Sequence, residues 1–423
     1  MIVASAGRGG ADPFMPPTIF ISAGEASGEH YGALLIGALK RQLAGTGQTA
    51  EFFGMGGDRM AGVGLERVVR SEDMAVMGIT EVIRYLPRIY RGFRRLKQAI
   101  RDRRPDVAVL IDFPDIHFKL AEQLERLGVP VIFFVSPQLW AWKKHRIKLV
   151  QKYVRKMLVI FPFEEAFYRE RGVAAEFVGH PLAELPLPTV SREDFAERSG
   201  LDPARTWIAL LPGSRAREVR DNLFEILQAA RLLLKKDPDL QFVLPLAPTL
   251  TPEQRDQIFR MEESPEQSDL GHVPVRFVDD APAALFHARA SVVASGTATV
   301  EDALIGNPFV VVYRVSPLTY AIAKRVVTVP HVAMANLIAA KRVVPELIQH
   351  DFTAANIVQQ IERLLPDGLP RESMMEELAR IRGLLNTWPG HEGGSGGAIE
   401  RVAEVTLAEL GAASPARIPV AVN

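Results

Sequence analysis

The chain contains no cysteine. Disulfides, a thiolate nucleophile, a Cys-held iron–sulfur cluster and a Cys-based zinc site are therefore excluded, and a reducing compartment fits. Net charge is missing as well. Fifty Lys+Arg cancel fifty Asp+Glu, which speaks against a dedicated nucleic-acid binder. No apolar run reaches the roughly 18 residues that a spanning helix needs. Residues 1–16 (MIVASAGRGGADPFMP) lack the basic start and apolar block of a signal peptide and read as a flexible extension. A cytoplasmic protein is expected. The P-loop pattern and pairs of His at metal-ligand spacing are absent too, so neither ATP hydrolysis nor a metal site is indicated and no cofactor is expected.

What is present is ordinary for a globular protein. Of 423 residues, 48% are hydrophobic and 24% charged, enough for two or three domains with proper cores. Short β-branched and aromatic runs alternate with helical patterns. In the first half the runs are Thr18–Ala23, 51–54, 106–113, 130–136, 156–161 and 176–179. They are nearly continuous in apolar residues, as in a parallel sheet covered on both faces. The proline-rich stretch 181–188 (PLAELPLP) reads as a linker. After it the pattern restarts, with runs at Trp207–Leu211, 241–246, Val275–Val278, 291–294 and 308–313. The expectation is an α/β chain of two doubly wound domains. Their expected bounds are 17–185, joined by a last helix at 398–412, and 186–392. PGHEGGSGG at 389–397 reads as a flexible break before that helix.

In open parallel sheets ligands bind outside the carboxyl ends of the strands, so the residues just after each run are the informative ones. The first run is followed by Gly24-Glu25-Ala26-Ser27-Gly28. Small residues there let backbone approach a ligand, or simply make a tight turn for helix packing. The spacing is not G-x-G-x-x-G, so no dinucleotide fingerprint is read. The run at 106–113 ends in Asp112, followed by Asp115. A partly buried carboxylate at such an end is a candidate general base, while Asp115 suits a helix cap. Trp140 and Trp142 offer a wall for a sugar or acyl chain, or else belong to the core.

The second domain opens with Pro212-Gly213-Ser214-Arg215, a turn, guanidinium and helix start able to cradle an anion. Near its end, Ser295-Gly296-Thr297 would present a helix N-terminus and two hydroxyls to a diphosphate. Glu301 would accept hydrogen bonds from a ribose diol, or act only as a carboxylate near the helix dipole. His180 stands in the linker region, and His331 and Asn336 in a polar interruption. A further segment, 84–104, holds nine Lys/Arg and one acid, with Leu86, Ile89, Phe93, Leu96 and Ile100 at helical spacing. Residues 143–156 add seven Lys/Arg and no acid. Such basic amphipathic surface suits a peripheral contact with anionic membrane, or a solvated face over a core stripe.

Taken in order, AGEASGEHYGALLIGALK (23–40), MAVMGITEVI (74–83), PDVAVLIDFPD (105–115), FFVSPQLWAW (133–142), FPFEEAFY (161–168), FVGHPL (177–182), LLPGSRAREV (210–219), ASGTATVEDAL (294–304), YRVSPLTYAIAKR (313–325) and VAMANLIA (332–339) resemble lipid-A-disaccharide synthases. The resemblance implies a GT-B fold of two facing domains and an inverting glycosyl transfer without a metal. It implies that 2,3-diacylglucosamine passes from UDP-2,3-diacylglucosamine to 2,3-diacylglucosamine 1-phosphate (lipid X), giving a β-1,6-linked disaccharide and UDP. It places catalytic weight on Asp112, Arg215 and Asn336 and a nucleotide-site role on Glu301. With the strand-end reading above, donor contacts are expected at Ser214, Arg215, Ser295, Gly296, Thr297 and Glu301, and acceptor or acyl contacts at Glu25, Ser27, Gly28, Trp140 and Trp142. It further implies action at the cytoplasmic face of the inner membrane and a dimer formed by exchange of the last helix. Glu29 and Gln138 depart from the family pattern, which has Asp and Ser there. Two other readings stay open at this point: another UDP-sugar enzyme of the same plan, such as a UDP-N-acetylglucosamine 2-epimerase, and a non-enzymatic nucleotide-sugar-binding protein at a membrane surface.

Overall fold

The computed structural model describes residues 16–74, 79–247, 250–262, 273–327, 329–386 and 396–413. The expected N-terminal extension lies outside them, as do most of the glycine-rich break at 389–397 and part of the MAVMGITEVI segment. The chain separates into two compact units, one of Met1–Pro181 with Thr387–Asn423 and one of Leu182–Asn386.

The first unit is built on seven strands: β1 Thr18–Ala23, β2 Glu51–Gly56, β3 Leu65–Arg70, β4 Val107–Ile111, β5 Val131–Phe134, β6 Lys156–Val159 and β7 Ala175–Phe177. Their order is β3-β2-β1-β4-β5-β6-β7, and every pairing is parallel. Strand β4 (VAVLI) is buried along its whole length, because helices cover both faces. β3 (LERVVR) was not expected from sequence. It is an edge strand with both faces partly wet, so its charges hide it from an apolar-run criterion. Phe20, Phe53, Leu96, Ile100, Phe118 and Phe133 share the core on one side of this sheet. The last helix, Ala398–Ala413, packs on the first helix, Ala26–Gly45, and on β4 of the same chain. Arg41 pairs with Glu400 at 2.7 Å and Arg401 with Glu176 at 2.6 Å.

The second unit carries β8 Trp207–Leu211, β9 Gln241–Pro245, β10 Val275–Val278, β11 Ala290–Ala294, β12 Phe309–Tyr313 and β13 Glu346–Ile348. The order is β10-β9-β8-β11-β12-β13, again all parallel. The three-residue β13 also escaped the sequence, being too short for a pattern to register.

Each sheet has one place where the chain order reverses, between β1 and β4 in the first unit and between β8 and β11 in the second. Beyond the carboxyl ends of such paired strands the connections diverge and leave a crevice, which is where ligands bind in doubly wound folds.

Candidate active site

At the reversal in the first sheet, Ala23 of β1 lies in register with Ile111 of β4. The loops that follow carry Glu25 and Asp112. Gly24 brings them together: a Cβ there would run into the Phe113 ring. Glu25 occupies the N-cap position of helix Ala26–Gly45, but its carboxylate makes no capping bond. Ser27 and Gly28 form the first turn of that helix, with Gly28 buried over Ile111. Asp112 is half-buried. Burial, and next the Glu25 carboxylate, raise its pKa to about 7, partly offset by the Phe113 N–H. A carboxyl poised there is matched to taking a proton at neutral pH. Its backbone is left-handed, with φ of 51° at Asp112 and 52° at Phe113.

Asp115 does not cap the following helix, Pro114–Arg126. Phe113 takes the N-cap position and Pro114 the first turn, leaving Asp115 to pair with Arg146 at 2.6 Å. The two indoles part company. Trp140 is buried, with its ring edge on Phe163 and Nε1–H donating to Glu164 at 2.9 Å. That makes it core. Trp142 is 44% exposed under the Lys143 ammonium, so only the second indole is available as a surface. Glu164 also accepts from Ser136 Oγ at 2.5 Å and Phe161 N–H at 3.2 Å. Burial pushes its carboxyl up to about 7 against those donors. It ties the Ser136–Trp142 loop to the helix Pro162–Arg169. His180 is buried against Phe161, and burial lowers its pKa to about 3. Glu29, one of the two departures from the family pattern, accepts from Arg59 N–H at 2.9 Å and so anchors the glycine-rich turn after β2.

At the reversal in the second sheet, Gly213 takes φ of 137°, and a Cβ would meet the Glu218 side chain at 2.6 Å. Arg215 is the N-cap residue of helix Ala216–Lys236. Its guanidinium is half exposed and held by Glu218 at 2.9 Å, whose other oxygen accepts from Ser214 N–H at 3.2 Å. Tyr313, at the end of β12, is close enough to feel both charges. Burial and Glu218 raise its pKa while Arg215 lowers it. After β11, Ser295 N–H donates to Val312 O at 2.9 Å. Gly296 takes φ of 152° as the N-cap of helix Thr297–Ile305. Glu301 lies on that helix, half-buried, its pKa raised by desolvation. Asp302 beside it is wholly buried and raised further. Ser214, Arg215, Ser295, Gly296 and Thr297 thus stand at neighbouring strand ends with two helix N-termini among them.

Asn336 is different. It is fully buried on helix Met334–Ala339. Its Oδ1 accepts from Val343 N–H (2.7 Å) and Val344 N–H (2.9 Å), while Nδ2 donates to Val344 O (3.0 Å) and Glu346 (2.8 Å). Four bonds use its whole capacity. In this arrangement it fastens a loop and has no atom left for a sugar or phosphate. Glu346 completes the clasp by accepting from Val332 and Ala333 N–H. Among the described residues no group of three or more His, Asp or Glu side chains is placed to hold a metal ion. No helix of theirs is long and apolar enough to cross a membrane.

A family profile described as lipid-A-disaccharide synthetase matches residues 19–387. This chain belongs to that family. The lipid-A-disaccharide synthase of Acidobacterium capsulatum is 60% identical over 92% of this chain and 95% of its own length. That of Koribacter versatilis is 47% identical over 92% and 97%, and that of Myxococcus xanthus 42% over 93% and 97%. The enzyme is accordingly a glycosyltransferase of lipid A biosynthesis. Among solved structures, the Neisseria meningitidis UDP-GlcNAc 2-epimerase bound to UDP-GlcNAc aligns with TM-score 0.61 at 13% identity, covering 93% of this chain and 100% of that one. The glycotransferase of kitacinnamycin aligns with TM-score 0.59 at 16% identity, covering 93% and 99%. These likenesses carry the fold alone, and it is the GT-B fold of two doubly wound units. The epimerase reading of the sequence loses its ground here, because relatives of 42–60% identity over nearly the whole chain are disaccharide synthases, while the epimerase is 13% identical.

Proposed function

We propose that the first unit binds lipid X and the second UDP-2,3-diacylglucosamine, and that Asp112 is the general base. The acceptor 6-hydroxyl gives its proton to the Asp112 carboxylate as its oxygen forms a bond to the donor's anomeric carbon. The bond from that carbon to the diphosphate breaks, and UDP leaves with the electron pair. One displacement inverts the centre. A positioned base contributes roughly 10²–10⁴ in rate. Arg215, with the N-termini behind Ser214 and at Ser295–Thr297, takes the charge that develops on the diphosphate. Glu301 accepts from the ribose hydroxyls. Glu25, Ser27 and Gly28 line the acceptor side, and Trp142 an acyl chain. Asn336 acts through the loop that it clasps.

The observation that carries this reading is a half-buried carboxyl beside Glu25 at the reversal point of its sheet, where burial and that neighbour raise its pKa. The test supplies UDP-diacylglucosamine with and without the acylated sugar phosphate and follows UDP and disaccharide by mass spectrometry. Acceptor-dependent UDP is expected from the wild type. Asp112→Asn should bind UDP normally and turn over at least about 100-fold more slowly. Near-normal turnover would remove Asp112 from the role.

We also propose a peripheral contact with anionic lipid at the cytoplasmic face of the inner membrane. Leu86 and Tyr90 are 55% and 60% exposed on helix Ile79–Arg103. They border an apolar groove of about 420 Å³ lined also by Ile89, Phe93 and Ile116, with Arg91, Arg94 and Arg95 exposed on the same helix. Binding to anionic vesicles should weaken with salt and with charge reversal of those three arginines; indifference to both would refute the contact. A homodimer exchanging helix Ala398–Ala413 would reuse its contacts to the first helix between chains. Sedimentation of the full chain should then give twice the monomer mass, and a monomer would refute it.

A further inference from the structure

We propose that His117 is a positioning residue that locks the turn carrying Asp112, and that Ser22 sets its tautomer. The inference rests on Asp112 being the base. Asp112 and Phe113 are consecutive non-glycine residues in the left-handed region, which such residues adopt rarely. On the strand side the turn is anchored by Asp112 N–H donating to Phe134 O at 3.0 Å. On the helix side, His117 N–H donates to Phe113 O at 3.2 Å. Between these, the peptide joining Asp112 to Phe113 is bonded through its N–H only to the Asp112 carboxyl itself, which would turn with it. The His117 ring prevents this. Its Nδ1 lies 2.5 Å from the Asp112 carbonyl oxygen, and its Nε2 lies 2.8 Å from Ser22 Oγ.

The protonation state follows by elimination. A carbonyl only accepts, so Nδ1 carries the hydrogen. The ring is wholly buried, between Phe113 and Phe133, and burial lowers its pKa to about 4, so it is neutral. Nε2 is then an acceptor and the Ser22 hydroxyl must donate to it. Ser22 lies on β1, paired to Leu110 on β4. The bridge therefore ties the turn to the strand whose own loop carries Glu25. Ser22 and His117 touch no reacting atom. They act by fixing where the Asp112 carboxyl points, and a displacement of about 1 Å at a reacting group can cost ~100-fold in rate.

The experiment is a double-variant cycle under single turnover with enzyme in excess, at saturating donor and acceptor. His117→Leu should lower the rate about 10- to 100-fold with UDP affinity unchanged. His117→Asn, whose amide N–H can reach the same carbonyl, should recover most of that loss. In an Asp112→Asn background, His117→Leu should cost nothing further, since there is no base left to aim. A wild-type rate for His117→Leu, a loss that persists undiminished beside Asp112→Asn, or no recovery in His117→Asn would each overturn the proposal. Should the leucine variant fail to fold, Ser22→Ala is carried through the same cycle. A rate loss that vanishes in the Asp112→Asn background supports the bridge, while no loss, or an undiminished one, refutes it. If Asp112→Asn alone keeps near-normal turnover, the fault lies with the base assignment and the bridge falls with it.

Discussion

Removing the charge of Asp112 should stabilise the protein while it abolishes catalysis, and the gain should grow with pH. In the unfolded chain the carboxyl titrates near 3.8, and in the fold at about 7. Between those values the folded state holds a proton that the unfolded state has lost. Stability from this group therefore falls as pH rises from about 4 to about 7 and stays low above. Roughly three pKa units at ~1.4 kcal/mol each would set a ceiling near 4 kcal/mol. Partial solvent access and relaxation reduce this to about 1–2 kcal/mol. Asparagine has the same shape and no charge to desolvate. Thermal melts of wild type and Asp112→Asn at about pH 5.5 and about pH 8.5 should thus show a gap that is positive at both and larger at the higher pH. At ~2–4 °C per kcal/mol for a unit of this size, the widening is a few degrees. A variant melting at or below wild type at both pH values would mean that Asp112 is neither desolvated nor crowded by Glu25. The reasoning for its role as base would fail with it.

Three further outcomes follow from the same contacts. The rate at saturating substrates should fall tenfold per pH unit below about 7, as the Asp112 carboxylate is protonated, and Glu25→Gln should move that limb to lower pH; a limb that stays in place separates the two carboxyls. Trp140→Phe keeps the ring against Phe163 but removes a donor from the buried Glu164 carboxylate, so chemical denaturation should show a loss of about 1–2 kcal/mol with donor KM unchanged. Asn336→Asp keeps the shape but loses both donated bonds and sets a second carboxylate against Glu346, so a loss of about 2–4 kcal/mol is expected in the same assay, and a fully stable variant would show that the clasp does not bear the loop.

How much of this was legible in the residues varies with the kind of signal. Buried central strands such as Thr18–Ala23 and Trp207–Leu211 announce themselves, because both faces are covered and the apolar run is unbroken. β3, with Glu66, Arg67 and Arg70 in six residues, does not, since an edge strand is half solvated. Asp112, Arg215 and Glu301 stand out as candidates because a ligand site at a strand's carboxyl end calls for particular residue types there. Their partners do not. His117 lies five residues from Asp112 on a helix, where no local pattern marks it out from any core histidine. Glu164 pins the Trp140 loop from 24 residues away, a pairing no local pattern encodes. Asn336 is the converse case: a motif position that stands out in the sequence, but whose four hydrogen bonds to its own loop only the structure shows.

On the proposed reading, the placement of charge follows from two tasks. A carboxyl that must accept a proton at neutral pH needs a neighbourhood without a free cation, since a guanidinium within a few ångströms would depress it by about one to three units. A diphosphate site needs the opposite. The basic stretch 143–156 follows closely on the loop that ends β5, and its Arg146 reaches the helix that begins just after Asp112. There it is met by Asp115 at 2.6 Å, leaving burial and Glu25 to govern the Asp112 carboxyl. Arg215 stands on the other sheet, held meanwhile by Glu218, whose carboxylate a diphosphate would have to displace. The same doubly wound scaffold, used twice, thus offers a reversal point of each electrical kind. An enzyme that must raise one carboxyl's pKa while stabilising a departing polyanion gains from keeping the two on separate sheets.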